Sequence, residues 1–210
     1  MAGPQLGKDA LLDAAVVLFD EHGVDAVSLG QINRASGHRN RSAANYHFGN
    51  KEAVIRAVLT RSMIEPNRRR HQLLDELEAA DPNPSVRAVA EVMVAPLTEA
   101  LERPEGRRHL RLLGQIVGHP RYFTATQNLA TSTSSLGRCA AHFAASLREL
   151  PSDLRIERVA LMSAFVVRAY SDQAHLVDAA EPARPVLPTS RFRANVLDLA
   201  VGALFAPSTT

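Results

Sequence analysis

At 210 residues the chain is long enough to bury a substantial core unaided, as one helical body or as a small module on a larger one. Its only cysteine, Cys139, excludes an internal disulfide and fits a reducing cytosol. The net charge of +2 does not mark the whole chain as a polyanion binder, but its distribution is uneven. Between positions 30 and 61, Arg34, Arg39, Arg41, Lys51, Arg56 and Arg61 face a single carboxylate, Glu52, a balance suited to a phosphate-facing surface or to a solvated face. The N-terminus lacks the basic, apolar and cleavage regions of a signal peptide, and its longest apolar run, residues 14–19, is too short to span a bilayer. A soluble cytoplasmic protein without a membrane partner is expected.

Good helix formers dominate, with apolar residues at helical spacing and no hairpin turns, so the predicted fold class is all-α. A first helix over residues 6–22 carries Leu11, Leu12, Ala15, Leu18 and Phe19 as an apolar stripe, and Gly23 ends it. Ser28 and Gln31 form a capping box for a second helix, Val27 and Ile32 occupy the staple positions, and Gly37 closes it. A third short helix runs from about residue 40 or 41 to 47. Asn50 caps a fourth, predicted to continue to about residue 77 with a kink at Pro66. After a turn at residues 81–84, helices are expected over 85–101 (bent at Pro96), 105–117, 120–150 and 153–177. The prolines of 181–188 interrupt the pattern, and Thr189 or Ser190 caps a last helix ending near 205. This gives about nine helices, divided into a DNA-binding domain at 1–50 and a second domain at 51–210.

Two short helices joined by a glycine-containing turn, after a third, make a helix-turn-helix over about 28–48, whose second short helix can enter a major groove. Arg41 and Asn45 suit guanine and adenine edges. Ser42, Tyr46 and His47 can reach phosphates or bases, Lys51 can clamp the backbone, and small Ala43 and Ala44 permit close approach. Ser28, at the first helix N-terminus of the motif, joins this candidate DNA-binding set. For Phe48 a core position is the simpler reading.

The stretch SLGQINRASGHRNRSAANYHFGNKEAVIRAVL resembles the DNA-binding domain of the tetracycline-repressor (TetR) family, most specifically in Tyr46-His47-Phe48 followed by Lys51-Glu52. The resemblance covers roughly residues 6–60. It implies phosphate contacts from Tyr46, His47 and Lys51 and base reading by Arg41, Ser42, Ala43 and Asn45. The turn before Tyr46 is about two residues longer than is usual in the family, leaving Arg39 and Asn40 to face bases, phosphate or the neighbouring helix. Asn33 stands where a small alanine is usual.

The resemblance further implies a homodimeric repressor on double-stranded DNA, bound to a pseudo-palindromic operator and released by a small-molecule effector. The last two long helices would pair with their twins through Met162, Phe165, Val166, Ala169, Val196, Leu199 and Ala203, residues that could equally be core of one chain. The central helices would enclose a cavity lined by Met93, Leu97, Leu112, Ile116, Phe123, Gln127, Phe143 and Tyr170, each also explicable as ordinary packing. His109, Gln115, His119, His142 and Arg168 could orient a ligand, although Arg168 and Asp172 have the spacing of a surface ion pair. The fourth helix, bent at Pro66, would be the lever between domains. No cofactor and no catalysis are expected. The rival readings are a helical interaction protein, or a metal or thiol enzyme built on Cys139 and His142, which lie three residues apart.

Overall fold

The computed structural model describes residues 4–37, 43–117, 119–122 and 134–208. Among these there are ten α-helices and no strand, all-α as the composition and spacing predict, with one helix more than the nine or so expected. Helices α1 (Pro4–His22), α2 (Leu29–Ala35), α3 (Ala43–Phe48) and α4 (Lys51–Ser62) come first. Then follow α5 (Ile64–Ala80), α6 (Val86–Leu101), α7 (Pro104–Ile116), α8 (Ser135–Ser146), α9 (Ser152–Asp178) and α10 (Thr189–Leu204). A 3-10 turn, Pro120–Tyr122, follows α7.

Side-chain caps set four of these ten starts, those of α2, α4, α6 and α8. The Ser28 backbone amide donates to Gln31 Oε1 at 2.8 Å while Ser28 Oγ accepts from the Gln31 amide at 3.3 Å, completing the box that opens α2. Asn50 Oδ1 accepts from the Ala53 amide (2.8 Å), and Ser85 Oγ from that of Ala88 (3.2 Å). Gly23 ends α1 at φ +81°, a left-handed conformation that glycine adopts without steric cost.

Three expectations need correction. The fourth helix is broken rather than kinked, and the break precedes the proline. Pro66 has no amide to offer the carbonyl of Ser62 and its ring crowds that carbonyl. So α4 closes at Met63, and α5 restarts with Pro66 in its first turn, where no donor is required. Second, residues 120–150 do not form one helix. Tyr122 closes a 3-10 turn, and Ser134 Oγ accepts from the Gly137 amide (3.0 Å) to start α8 afresh. Third, Pro188 rather than Thr189 or Ser190 occupies the cap position of α10, with no side-chain cap bond.

The buried side chains form two cores. The first gathers Leu11, Phe19, Ile32, Ala44, Val54, Ile55 and Leu59 from α1–α4 with Val27 from the loop between α1 and α2, so its packing reaches past residue 50. Leu112 and Ile116 of α7, and Tyr122, complete it. The second, larger core is built from α5, α6, α8, α9 and α10, with Leu110 of α7 also inside. Helix α7 therefore belongs to both. Gly114 on that helix lies so close to α9 that a Cβ would meet Ser171 Oγ at 2.2 Å.

Candidate nucleic-acid interface and cavity

The exposed edge of the small domain is the outer face of α3. Asn45 is exposed, Tyr46 is 84 % exposed and His47 is half-buried. The Tyr46 and His47 rings meet edge to face at 5.3 Å between centroids, which restricts both without burying either. Phe48 is partly buried against the first core, as the sequence suggests. Arg34 and Arg56 are exposed with no carboxylate within 4.0 Å among the described residues, whereas Arg61 is bonded to Asp13 at 2.8 Å. Arg39, Asn40, Arg41 and Ser42 lie outside the described residues.

Two members of the expected reading set are placed otherwise than anticipated, and a third, Ser28, sits in the capping box predicted for it. Ala43 is buried, as is Ala44, so it packs the inner face of α3 and offers no groove-facing surface. The Ser28 hydroxyl is engaged with Gln31, donating to Oε1 at 2.7 Å. Lys51 Nζ donates to the carbonyls of Val24 and Asp25, both at 3.0 Å, and so holds the loop between α1 and α2.

Asn33, which departs from the family pattern, has a clear task. It is buried on α2, and its Oδ1 accepts from the Ala44 amide at 2.7 Å, anchoring the first turn of α3. A polar residue on the inner face of an otherwise apolar stripe was the available signal for it.

In the larger domain a cavity of about 530 Å³ lies among α5, α6, α8 and α9, within the size range of small-molecule sites. Met93, Leu97 and Phe143 line it as expected. Leu112 and Ile116 do not; they are buried in the first core, while their neighbour Leu113 reaches the cavity. Tyr170 is also absent from the wall, because its hydroxyl bonds Thr98 Oγ1 (2.6 Å) and its ring meets Phe192 edge to face. Phe123 and Gln127 lie outside the described residues. Met63, at the α4–α5 junction, and Arg70 of α5 are wall residues that the sequence reading missed.

None of the suggested polar ligand-orienting residues lines this cavity. Gln115 Oε1 accepts from the Val24 amide (2.9 Å), tying α7 to the small domain. His109 Nδ1 lies 2.7 Å from the Glu105 carbonyl, and His119 lies beside Asp25. His142 Nε2 is 2.9 Å from Glu78 Oε1. Arg168 and Asp172 form the surface pair their spacing predicts, at 2.9 Å. Cys139 is buried, and burial pushes its thiol up to about 11, so it is held as the unreactive thiol. No group of three or more potential metal ligands is assembled among the described residues.

Of the expected dimer residues, Met162, Val166 and Val196 are buried within the single chain. They point into the second core and are not available as a seam. Phe165, Leu199 and Ala203 remain exposed, and Ala169 is partly so.

A pair of short helices on a third, the first of the pair capped and the second presenting a solvent-facing polar edge, defines a helix-turn-helix domain seated on a larger helical body. Residues 11–58 match the family model of bacterial regulatory proteins, tetR family, so the resemblance read from the sequence is borne out over the small domain. Solved structures extend the agreement of fold to nearly the whole chain. A protein of Shewanella sp. PV-4 assigned to the tetR family of transcription regulators is 18% identical, with a TM-score of 0.64 over 94% of this chain and 97% of that one. NalD, the secondary repressor of the MexAB-OprM multidrug efflux pump in Pseudomonas aeruginosa, is 18% identical, with a TM-score of 0.60 over 95% of each chain. A Rhodococcus sp. protein assigned to the same family is 17% identical, with a TM-score of 0.53 over 95% of this chain and 99% of that one. No protein of curated function matches the sequence. Among the described residues no helix is long and apolar enough to cross a membrane.

Proposed function

We propose that the protein is a non-catalytic, cytoplasmic DNA-binding transcriptional regulator. In this reading it is a repressor that holds a pseudo-palindromic operator as a homodimer and lets go when a small molecule fills the cavity. The observation that carries the reading is the outer edge of α3, where Asn45 and Tyr46 are exposed beside a half-buried His47 on a helix fixed from behind by Asn33 and Ala44. Exposed aromatic and amide groups on a short, rigid helix suit phosphate and base-edge contacts. Arg34 and Arg56 add positive charge that is not paired within the described residues. NalD's role as a repressor supports the sign of regulation.

Release requires a ligand that favours the form unable to hold DNA. The cavity wall includes Met63, at the junction of α4 and α5, and Leu113, one residue from Leu112 of the first core. An occupant would therefore press on the covalent junction with the small domain and on the helix packed against it. A coupling of about 1–3 kcal/mol between ligand and DNA is typical for such devices.

The test is a mobility-shift titration with DNA from upstream of the protein's own coding region. Affinity should fall steeply and linearly in log–log form as salt rises, because phosphate contacts release counterions. Binding that ignores salt, or no binding to any upstream fragment at low salt, would refute the reading.

A further inference from the structure

The cavity wall holds a charge that no carboxylate among the described residues is placed to neutralise. Arg70 is 1 % exposed. Its Nε donates to the Met93 carbonyl (3.2 Å), and Nη1 donates to Ser135 Oγ (2.8 Å) and to Asn67 Oδ1 (3.4 Å). All three acceptors are neutral. No carboxylate lies within 4.0 Å among the described residues, and the undescribed stretch 123–133, FTATQNLATST, contains no Asp or Glu.

The acids on Arg70's own helix are engaged elsewhere. Glu65 pairs with Arg68, Asp75 and Glu78 with Arg138, and Glu76 accepts from Gln72. The cavity wall itself contains Arg70, Arg155 and Ser163 as its polar side chains and no acid; the rest is aliphatic, with Phe143.

Burial of an unpaired guanidinium costs several kcal/mol, which neutral hydrogen bonds offset only in part. A leucine or methionine there would pack without that cost, so a purely structural role accounts poorly for arginine. Burial lowers the Arg70 guanidinium to about 10, which leaves it cationic at neutral pH. The nearby Cys139 thiol, pushed up to about 11, supplies no counter-charge.

We propose that the cavity binds an organic carboxylate with an apolar body, its acid group set against Arg70 and its body against Met93, Leu97, Phe143 and Val159. The inference rests on reading the cavity as the effector site and names the chemistry of the effector. With Nε and Nη1 engaged, Nη2 is the nitrogen left to donate to a carboxylate, and in so apolar a site that charge-assisted contact is weakly screened. The remaining wall excludes water from the body of the ligand.

Calorimetric titration of the full chain with octanoate, decanoate and laurate, each beside its alcohol, tests this. At least one carboxylate should bind tenfold or more tightly than its alcohol. Arg70→Met should weaken that carboxylate at least tenfold and change the alcohol less than threefold, while Arg70→Lys keeps a carboxylate preference. If Arg70→Met fails to fold, as its melting curve would show, the wild-type pairs and Arg70→Lys decide the matter. Equal affinity for acid and alcohol, no binding of any of the three acids, or undiminished acid binding by a folded Arg70→Met would overturn the inference. These titrations contain no DNA, so their failure leaves the DNA-binding reading standing. Carboxylate binding through Arg70 that leaves operator affinity unchanged would uphold the site and refute its role in release.

Discussion

A lysine ammonium has three hydrogens, and at Lys51 two of them are directed at the carbonyls of Val24 and Asp25. The side chain therefore fixes the loop leading into α2, and through it the seat of α3, with one hydrogen left for an outside acceptor. Two roles are separable by salt. Loss of a direct phosphate contact lowers the log–log salt slope by roughly one, whereas loss of a positioning contact lowers affinity at unchanged slope. Lys51→Met is expected to show mainly the second pattern, with operator affinity falling about tenfold, as loss of a hydrogen bond to a charged group would give. A slope reduced by a full unit would return Lys51 to the phosphate-contact set. Tyr46 is the contrasting case. Its ring is exposed and its hydroxyl has no hydrogen-bond partner among the described residues. Tyr46→Phe should leave the melting temperature unchanged while weakening operator binding by about threefold to tenfold, the range of one neutral hydrogen bond. A lowered melting temperature would mean that the hydroxyl serves the fold instead.

Among the elements, α7 unites the two domains. Leu112 and Ile116 fill the first core, Gln115 holds the Val24 amide, and Arg111 grips Asp20 of α1 with Nε at 2.7 Å and Nη2 at 2.6 Å. Arg111 also bonds Asp178 at the end of α9, and Arg108 adds a second contact to Asp20. Burial pushes the Asp20 carboxyl up, but the Arg111 and Arg108 guanidiniums outweigh it and hold the group below its usual value of 3.8. A depressed carboxylate stabilises the folded state above its unfolded pKa and loses that contribution as pH falls through its lower folded value. The fold should thus lose this support below about pH 3.8. Asp20→Asn should remove it at neutral pH, lowering stability by about 1.5–3 kcal/mol and flattening the acid limb of a melting-temperature profile. An unaltered acid limb would show that the cluster is not coupled to folding. Capping was legible in sequence because it is local: Ser28 with Gln31, and Asn50, announce their helices within three residues. The α4–α5 break was misplaced because a proline acts on the carbonyl four residues before it. Arg70 was missed for a different reason. It sits in the run Arg68-Arg69-Arg70, and only its spacing with Leu74 and Leu77 marks it as the inward member. The double allegiance of α7 depends on packing between distant segments, which periodicity does not report.

At the scale of the whole molecule, the outer faces of α9 and α10 remain without a partner among the described residues. Met162, Val166 and Val196 turn inward, while Leu161 at 61 %, Phe165 at 37 % and Leu199 at 51 % exposure turn outward beside small Gly202 and Ala203. Large apolar side chains next to small ones on two adjacent helices allow close helix packing, and a two-fold axis would set the same patch against itself. A stable interface of this kind buries at least about 1,200 Å² in total, which four helices, two from each chain, can supply. One recognition helix reads too few base pairs for useful selectivity. Two copies about 34–36 Å apart meet successive major grooves, so in the proposed reading operator affinity depends on the dimer. Phe165→Glu combined with Leu199→Glu places like charges across the proposed axis without touching either core. Light scattering should then report a monomer, with the thermal transition of a freshly diluted sample still cooperative. Affinity for an inverted repeat should drop by at least a hundredfold, while affinity for an isolated half-site stays within about threefold, since linked sites exceed single-site affinity by roughly that margin or more. A double variant that remains dimeric at micromolar concentration would move the two-fold axis to another face. One that becomes monomeric yet keeps full affinity for the inverted repeat would separate DNA reading from dimerisation.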